Sequence, residues 1–372
     1  MKYRFVLLVV LIHLGAAGCA LSAEGKAAAT PAAAASADSA ETVRPTIDKD
    51  AAAAPILDDA GATNGKDRPN LKTPTLGGRR FWTDELVYHD WRIQRHAEEG
   101  HYRLIDGEEV RHAWGTFEEC RTKFEGIQRE QKLPALEGKV VLVLHGLGRT
   151  RISNDDMVEF LRANSKLTVL SVGYASTQAD VATHARSLAR VIENLGEKVT
   201  EINFVAHSLG NIVIRHYLAD HTDANGRRPD PRIKRFVMVG APNNGARMAE
   251  IFGGNSIFDR VLGQSGRALA RQWNDLHKHL ATPQTEFGII AGGERDANGY
   301  NPLLPGDDDL VVSVEETKLP GARDFIVIGG LHALLMINPE VQQAALRFLE
   351  HGYFVSEDKR QPLEAVSAAA VE

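Results

Sequence analysis

From Lys139 onward the sequence alternates short apolar segments with segments of helical periodicity, and this alternation constrains the fold more than any other feature. The apolar segments include KVVLVLH, LTVLSVGY and EINFVAH, and helical spacing is clear in DVATHARSLARVIENLG. Strands that are apolar throughout are buried on both faces, as in a parallel sheet covered by helices. Their alternation with helices favours a doubly wound α/β architecture. The sequence therefore predicts a mostly parallel sheet flanked by helices.

This pattern extends to the end of a closing helix, so we expect a single α/β domain over residues 77–352. Residues 77–138 precede the alternation and form an N-terminal extension. Its segments LVYHDWRI and HYRLID are predicted to be two strands around a polar turn, followed by a helix. Residues 243–282 interrupt the alternation with helical segments that carry several apolar side chains. This insertion is expected either to cap a site or to pack on the edge of the sheet.

Both ends of the chain are predicted to lie outside the folded domain. Residues 1–18 contain two cations, an apolar run and small residues, which is the form of an export signal, and the apolar run is short for a membrane span. Residues 19–76 are rich in alanine and poor in large apolar side chains, so we expect a disordered tether there. A second disordered segment is expected at 353–372.

The stretch LGAAGC ends at Cys19 and resembles the lipobox of bacterial lipoproteins, in which the cysteine is acylated and becomes the mature N-terminus. The resemblance implies a lipid anchor on Cys19 and therefore attachment to a membrane of the cell envelope. Ala16 departs from the leucine that this family prefers. The alternatives are a cleaved signal without lipid, which would give a periplasmic or secreted protein, and an uncleaved signal anchor. Cys120 is the only other cysteine, so a lipidated Cys19 leaves no intramolecular disulfide.

The segment NFVAHSLGNIV places Ser208 at the junction of an apolar strand and a helical pattern. Ala206 and Gly210 flank the serine at a spacing of two. A sharp strand-to-helix turn needs small residues at these positions because neighbouring segments approach closely, and it exposes the serine hydroxyl. The pattern favours Ser208 as a nucleophile, and a serine in an ordinary turn is the alternative. His207 fills the variable position of the turn and is not expected to act as a base.

A serine nucleophile also needs donors for the oxyanion, a general base and a group that orients the base. The predicted donors are the backbone N–H groups of Leu147 and Leu209, the second of which directly follows the nucleophile. Leu147 lies in LHGLGR, where Gly146 and Gly148 permit close approach of the backbone to an acyl group. His145 is expected to orient this loop. An ordinary strand-to-loop turn is the alternative interpretation of the glycines.

His332, in IGGLHALL after the last predicted strand, is the predicted general base. Three acids in PGDDDLVV follow the preceding strand. Asp309 is the predicted orienting carboxylate because it abuts the apolar LVV, with Asp308 second and Asp307 third. A solvated loop or a Ca²⁺ site is the alternative for this cluster, although oxygen ligands at a suitable spacing are not evident.

The chain order of nucleophile, acid and base, each after a successive strand, is that of α/β-hydrolases. With the segments LHGLG, AHSLG, GAPNNG, DDDLVV and GGLH, the sequence resembles the α/β-hydrolase lipases and carboxylesterases from residue 139 to residue 352. The resemblance implies a catalytic triad of Ser208, Asp309 and His332. It also implies an oxyanion hole formed by the backbone amides of Leu147 and Leu209. We expect no cofactor and no metal. The oligomeric state is left open.

The predicted activity is hydrolysis of carboxylic esters through an acyl-enzyme on the serine. By analogy, the apolar insertion favours acyl or lipid esters as substrates. A thioesterase, an amidase or an acyltransferase would use the same triad. Outside the enzyme class, the alternative is a binding protein of this fold that is tethered in the envelope and inactive. With a formal net charge of −6, we expect no basic surface for binding nucleic acid.

Overall fold

The computed structural model of the protein describes residues 72–75, 77–222, 230–245, 247, 263–269 and 272–364. The chain divides into two units, and all described residues belong to the larger one, which includes Asn70–Glu372. The predicted export signal, Cys19 and most of the predicted tether lie outside the described residues. No helix in the described part of the chain is long and apolar enough to cross a membrane.

The N-terminal extension is an antiparallel sheet followed by a helix. Its strands are β1 (Thr73–Pro74), β2 (Trp82–Tyr88), β3 (Trp91–His96), β4 (Tyr102–Ile105) and β5 (Val110–Gly115), in the order β1-β5-β4-β3-β2. Helix α1 (Phe117–Gln131) begins with a capping box between Thr116 and Glu119 and packs its apolar face on this sheet. The segment LVYHDWRI, predicted as one strand, is the greater part of a hairpin. The chain turns at His89, which adopts a positive φ of 52°.

Six further strands form one parallel sheet. They are β6 (Gly138–Leu144), β7 (Thr168–Val172), β8 (Val199–His207), β9 (Ile233–Val239), β10 (Glu286–Gly293) and β11 (Asp324–Gly329). Their order is β11-β10-β9-β8-β6-β7, and each neighbouring pair is parallel. Because β8 lies between β6 and β9, the loops that follow these two strands flank its carboxyl end.

Helices cover both faces of the parallel sheet. They are α2 (Asp155–Asn164), α3 (Val181–Glu193), α4 (Leu209–His221), α5 (Trp273–His279), α6 (Val314–Thr317) and α7 (Pro339–His351). Successive residues of β6 enter different cores, since Leu142 packs with α3 and α4 whereas Val141 packs with α2 and α7. This arrangement confirms the predicted α/β-hydrolase fold. Short 3₁₀ turns occupy Arg79–Phe81, Arg151–Asn154, His332–Ile337 and Glu357–Lys359.

Two segments correct the predicted limits of the domain. Strand β1 lies within the predicted tether, 19–76, and pairs with β5, so the folded part begins inside that segment. After α7, Phe354 is 1% exposed, and the carboxylate of Asp324 accepts the backbone N–H groups of Phe354 and Gln361 at 2.7 and 2.8 Å. A buried aromatic ring and a buried carboxylate therefore hold residues up to 364 on the domain. The rest of the predicted tail, 353–372, lies outside the described residues.

Most of the predicted insertion, residues 243–282, also lies outside the described residues. Its described parts are 243–245, 247, a helical stretch at 263–269, and a segment that contains α5. Trp273 and Leu276 of α5 pack against the core that α3 and α4 share. The capping role of the insertion stays a prediction.

A buried polar network joins the two sheets. The carboxylate of Asp84, which is fully buried, accepts the backbone N–H of Gly173 at 2.7 Å and the Arg92 guanidinium at 2.5 Å. The hydroxyl of Thr83 accepts the N–H of Ala175 at 3.0 Å. Strand β2 therefore fixes the loop that follows β7, and this loop reaches the site described next.

Candidate active site

Ser208 occupies a strained turn between β8 and α4. Its φ of 51° and ψ of −119° lie outside the regions that L-residues usually adopt. The Ser208 N–H donates to the carbonyl of Val239 at 2.9 Å, which ties the turn to β9. A Cβ at Gly210 would lie 2.9 Å from the Cβ of Leu144 and 3.0 Å from the carbonyl oxygen of His145. The small residue is therefore required by close packing, as the sequence pattern predicted.

His332 and Asp309 form a buried hydrogen bond on the loops that follow β11 and β10. Nδ1 of His332 lies 2.6 Å from Oδ2 of Asp309, and the two side chains are 4% and 0% exposed. Oδ1 of Asp309 accepts the backbone N–H groups of Val311 and Val312 at 3.1 and 2.8 Å. Both carboxylate oxygens are thus satisfied, and the imidazole is oriented with Nδ1–H toward Asp309. Nε2 of the neutral ring is then an acceptor, and no described residue makes a hydrogen bond to it.

The three neighbouring acids have different partners. Asp308 accepts two backbone N–H groups of its own loop, and burial raises its pKa to about 6. Asp307 accepts two backbone N–H groups directly after β10. Within the described residues, Asp309 is the member of this cluster that contacts His332. The acid ranked first from the sequence is therefore the one that the structure pairs with the predicted base.

The ring of His332 lies beside the turn that carries Ser208. Nε2 of His207 is 2.9 Å from the carbonyl oxygen of His332, and the two ring centroids are 4.7 Å apart. Gly240 directly follows Val239, whose carbonyl accepts the Ser208 N–H. A Cβ at Gly240 would lie 3.2 Å from Cε1 and Nδ1 of His332. Burial holds the pKa of His207 well below its ordinary value, so this ring is neutral and donates Nε2–H. In the described part of the chain, no hydrogen bond joins the Ser208 hydroxyl to His332.

The loop after β6 packs directly on the turn. A Cβ at Gly146 would lie 3.1 Å from the Cβ of Ser208 and 2.9 Å from Nδ1 of His207. The absence of a side chain at Gly146 therefore lets this loop approach the serine.

His145 fixes the conformation of the same loop. Its Nδ1 lies 2.9 Å from the carbonyl oxygen of Gly146, and its Nε2 accepts the N–H of Tyr174 at 3.3 Å. The two rings stack with centroids 4.2 Å apart, and the Tyr174 hydroxyl donates to the His145 carbonyl. Burial lowers the pKa of His145 to about 4, so the ring stays neutral and can donate and accept at the same time. The orienting role of His145 in catalysis stays a prediction.

The two predicted oxyanion donors lie in the loop after β6 and at the first residue of α4. Among the described residues, no backbone acceptor bonds the Leu147 N–H. The Leu209 N–H lies in the first turn of α4, where N–H groups have no intrahelical acceptor. By contrast, the Gly148 N–H donates to the Ser176 hydroxyl at 3.1 Å.

Two contributions to this site were not predicted from the sequence. The first is the N-terminal extension, because Thr83 and Asp84 hold the loop whose Tyr174 stacks on His145. The second is Arg149, a cation that is 8% exposed and whose charge contributes to the low pKa of His207. Arg149 ends the LHGLGR segment, which was the available signal.

In the described part of the chain, the cluster of three side chains able to bind a metal ion lies farther along α4 and not at this site.

A family model described as a domain of unknown function (DUF7379) matches residues 107–274. A comparison with curated proteins finds no match.

Several solved structures are similar to this chain. The product of gene lin2722 from Listeria innocua is 18% identical, with a TM-score of 0.42, over 62% of this chain and 99% of that chain. The lipase BlEst2 from Bacillus licheniformis in its mature form is 18% identical, with a TM-score of 0.42, over 58% of this chain and 94% of that chain. The metagenomic carboxyl esterase MGS0156 is 17% identical, with a TM-score of 0.42, over 53% of this chain and 65% of that chain. Likeness at this level carries no information about substrate or activity.

Proposed function

We propose that the protein is a serine hydrolase that cleaves carboxylic esters through an acyl-enzyme on Ser208. One observation carries this proposal: a serine in a strained turn and a buried His–Asp pair occur together at the carboxyl edge of the parallel sheet. A strained backbone costs on the order of 1–3 kcal/mol and persists where the surrounding structure enforces it, most often at functional sites. A buried carboxylate that orients a histidine is the arrangement that makes the histidine a base.

In the proposed reaction, Oγ of Ser208 attacks the ester carbonyl carbon while Nε2 of His332 takes the hydroxyl proton. The carbonyl oxygen becomes an oxyanion that accepts the N–H groups of Leu147 and Leu209. Asp309 stabilises the imidazolium that forms. When the tetrahedral intermediate collapses, the C–O bond to the alcohol breaks and His332 returns the proton to the alcohol.

Water then attacks the acyl-enzyme while His332 takes its proton, and the bond between the acyl carbon and Oγ breaks as His332 returns the proton to Oγ. The acid is released and Ser208 is regenerated. The side chain of Ser208 has one rotatable bond to the hydroxyl, so a change of rotamer moves Oγ without moving the strained backbone. Catalytic hydrogen bonds often form only in the substrate complex. The proposal therefore includes an approach of Oγ to Nε2 when the ester binds.

The proposed substrates are acyl or lipid esters, which the apolar residues in the sequence of the 243–282 insertion support. We also propose export to the cell envelope with a lipid anchor on Cys19, supported by the sequence that precedes this residue. Such an anchor would keep the hydrolase next to a membrane and its lipids.

Hydrolysis of a series of p-nitrophenyl esters, from acetate to palmitate, tests the proposed activity. The wild-type protein is expected to turn over at least part of the series, and Ser208→Ala and His332→Ala are expected to lose this activity. His351→Ala is the matched control, because His351 is a half-exposed histidine on α7 without a role in the site. Turnover that survives in Ser208→Ala would contradict the proposal. A preference for S-acyl over O-acyl substrates would identify a thioesterase instead.

A further inference from the structure

Three side chains on α4 and α5 bring metal-binding atoms together. Nδ1 of His216 lies 3.0 Å from Oδ2 of Asp220, and Nε2 of His279 lies 2.6 Å from Oδ1 of Asp220. One ligand atom from each residue lies within 4.8 Å of the other two, and the imidazole centroids are 4.4 Å apart. His216 and Asp220 are four residues apart on one helix and so share a face.

The set of donor groups selects the kind of ion. Two imidazoles and one carboxylate suit zinc and similar transition metals, whereas Ca²⁺ and Mg²⁺ prefer sites made of oxygen atoms. Within the described residues, the ion-pair partners of Asp220 are these two histidines, and no lysine or arginine pairs with it. The neighbouring cation, Arg215, points elsewhere, since its guanidinium donates to the carbonyl of Ala281 at 2.9 Å and to the side chain of Asn243 at 3.0 Å.

The distances also suit an ion of this size. Zn–N and Zn–O bonds are about 2.0–2.2 Å, so tetrahedral ligand atoms are roughly 3.3 Å apart. The separations in the cluster differ from this value by amounts that side-chain rotation can supply. His216 is largely buried, whereas the His279 side chain is 51% exposed, so the cluster opens to solvent on one side.

We propose that His216, Asp220 and His279 bind one divalent transition-metal ion of the zinc class, with a fourth coordination position open to water. This site is separate from the proposed catalytic residues. His216 is eight residues beyond Ser208, which corresponds to about 12 Å along a helix axis. The ion therefore does not touch the reacting atoms.

The consequence of binding is a link between two helices. The ion joins α4, which begins at the turn of Ser208, to α5, which lies in the predicted insertion 243–282. Arg215 already bonds α4 to the segment that follows α5, through the carbonyl of Ala281. A metal ion adds a second link on the exposed side of the same contact, so its expected effect is on stability and not on the chemical step.

Zinc binding to the metal-free chain, without its predicted signal, tests the site. Calorimetry is expected to show one Zn²⁺ per chain, and a hundredfold excess of free Zn²⁺ over its Kd is expected to raise Tm by about 4 °C. Co²⁺ is expected to give visible absorption bands typical of a tetrahedral site. His279→Ala is expected to weaken Zn²⁺ binding at least tenfold and to abolish these bands.

His277→Ala is the matched control, because His277 lies on the same helix, packs its ring 5.3 Å from the ring of Trp273 and is not a member of the cluster. It is expected to bind Zn²⁺ as the wild type does. Asp220→Asn provides a second test that retains the size of the side chain. No saturable Zn²⁺ binding, equal binding by wild type and His279→Ala, or a preference for Ca²⁺ would each overturn the proposal. Labelling of Ser208 by a fluorophosphonate reports the proposed catalytic site separately.

Discussion

Replacing Asp309 by asparagine probes how the carboxylate controls the protonation of His332. Oδ1 of Asp309 accepts two backbone N–H groups, from Val311 and Val312, so the amide oxygen of an asparagine must take this position. The amide NH₂ then faces Nδ1 of His332, in the place where Oδ2 of the wild-type carboxylate accepts the Nδ1–H hydrogen bond at 2.6 Å. Two donors cannot share one hydrogen bond, so the ring moves its proton to Nε2. A ring protonated on Nε2 cannot take the proton of Ser208.

The expected cost is large because the wrong tautomer removes the base while leaving the geometry in place. In a serine protease, the same aspartate-to-asparagine change lowers kcat about 10⁴-fold, which corresponds to about 5 kcal/mol of transition-state stabilisation. We therefore expect kcat/KM of Asp309→Asn for the best p-nitrophenyl ester to fall by about 10³–10⁴-fold. The free energy of unfolding is expected to change much less, since the substitution is nearly isosteric.

Asp308→Asn is the matched control for this prediction. Asp308 is the adjacent buried acid, and its carboxylate accepts backbone N–H groups of its own loop and not a histidine. The Asp308→Asn variant is expected to be less stable, because one backbone N–H group loses its acceptor. Its kcat/KM is expected to fall by less than about tenfold, by analogy with other changes outside a triad. Steady-state kinetics and urea unfolding measure both quantities. A loss below tenfold in Asp309→Asn, or equal losses in the two variants, would show that Asp309 does not control the protonation of His332.

Three further predictions concern stability. Gly210→Ala places a Cβ 2.9 Å from another Cβ, and it is expected to lower the free energy of unfolding in urea by about 1–3 kcal/mol and to reduce activity. Gly126→Ala is the control, because a Cβ there meets nothing within 4 Å, and it is expected to be neutral or stabilising. Equal effects of the two changes would contradict this prediction. Asp84→Ala leaves Arg92 buried without its anionic partner, so the free energy of unfolding is expected to fall by about 3–5 kcal/mol. An unchanged midpoint of urea unfolding would contradict this prediction. Burial holds the folded-state pKa of three histidines below the unfolded value of about 6.5, so the unfolded chain binds more protons below that pH. Stability is expected to fall as pH decreases below 6.5, by up to about 4 kcal/mol per pH unit, and a flat urea-unfolding profile between pH 5 and 7 would contradict this. The three histidines are His145, His184 and His207.

The parts of the fold that could be predicted from sequence are those in which burial leaves a local pattern. The parallel sheet was predictable because strands bury both faces over continuous apolar runs, such as residues 140–144 of β6. Asp309 was distinguishable from its neighbours because the following LVV segment is fixed in the structure, where Val311 and Val312 supply the N–H groups that hold the carboxylate.

The remaining features depend on contacts between distant parts of the chain. Asp84 bonds to a residue 89 positions away, and His279 bonds to a residue 59 positions away, so neither contact leaves a local periodicity. The segment after α7 is polar in composition and was predicted to be disordered. The buried ring of Phe354 and the hydrogen bonds to Asp324 hold this segment on the domain. Amino-acid composition cannot predict either contact.

Covalent labelling with a fluorophosphonate, followed by intact mass measurement and peptide mapping, reports directly whether Ser208 is an activated nucleophile. We expect one label per folded wild-type chain, located on Ser208. Ser208→Ala is expected to take no label, and His332→Ala is expected to react far more slowly, whereas His351→Ala is expected to react as the wild type does. A folded wild-type protein that takes no label, or a label on another serine, would contradict the assignment of Ser208 as an activated nucleophile.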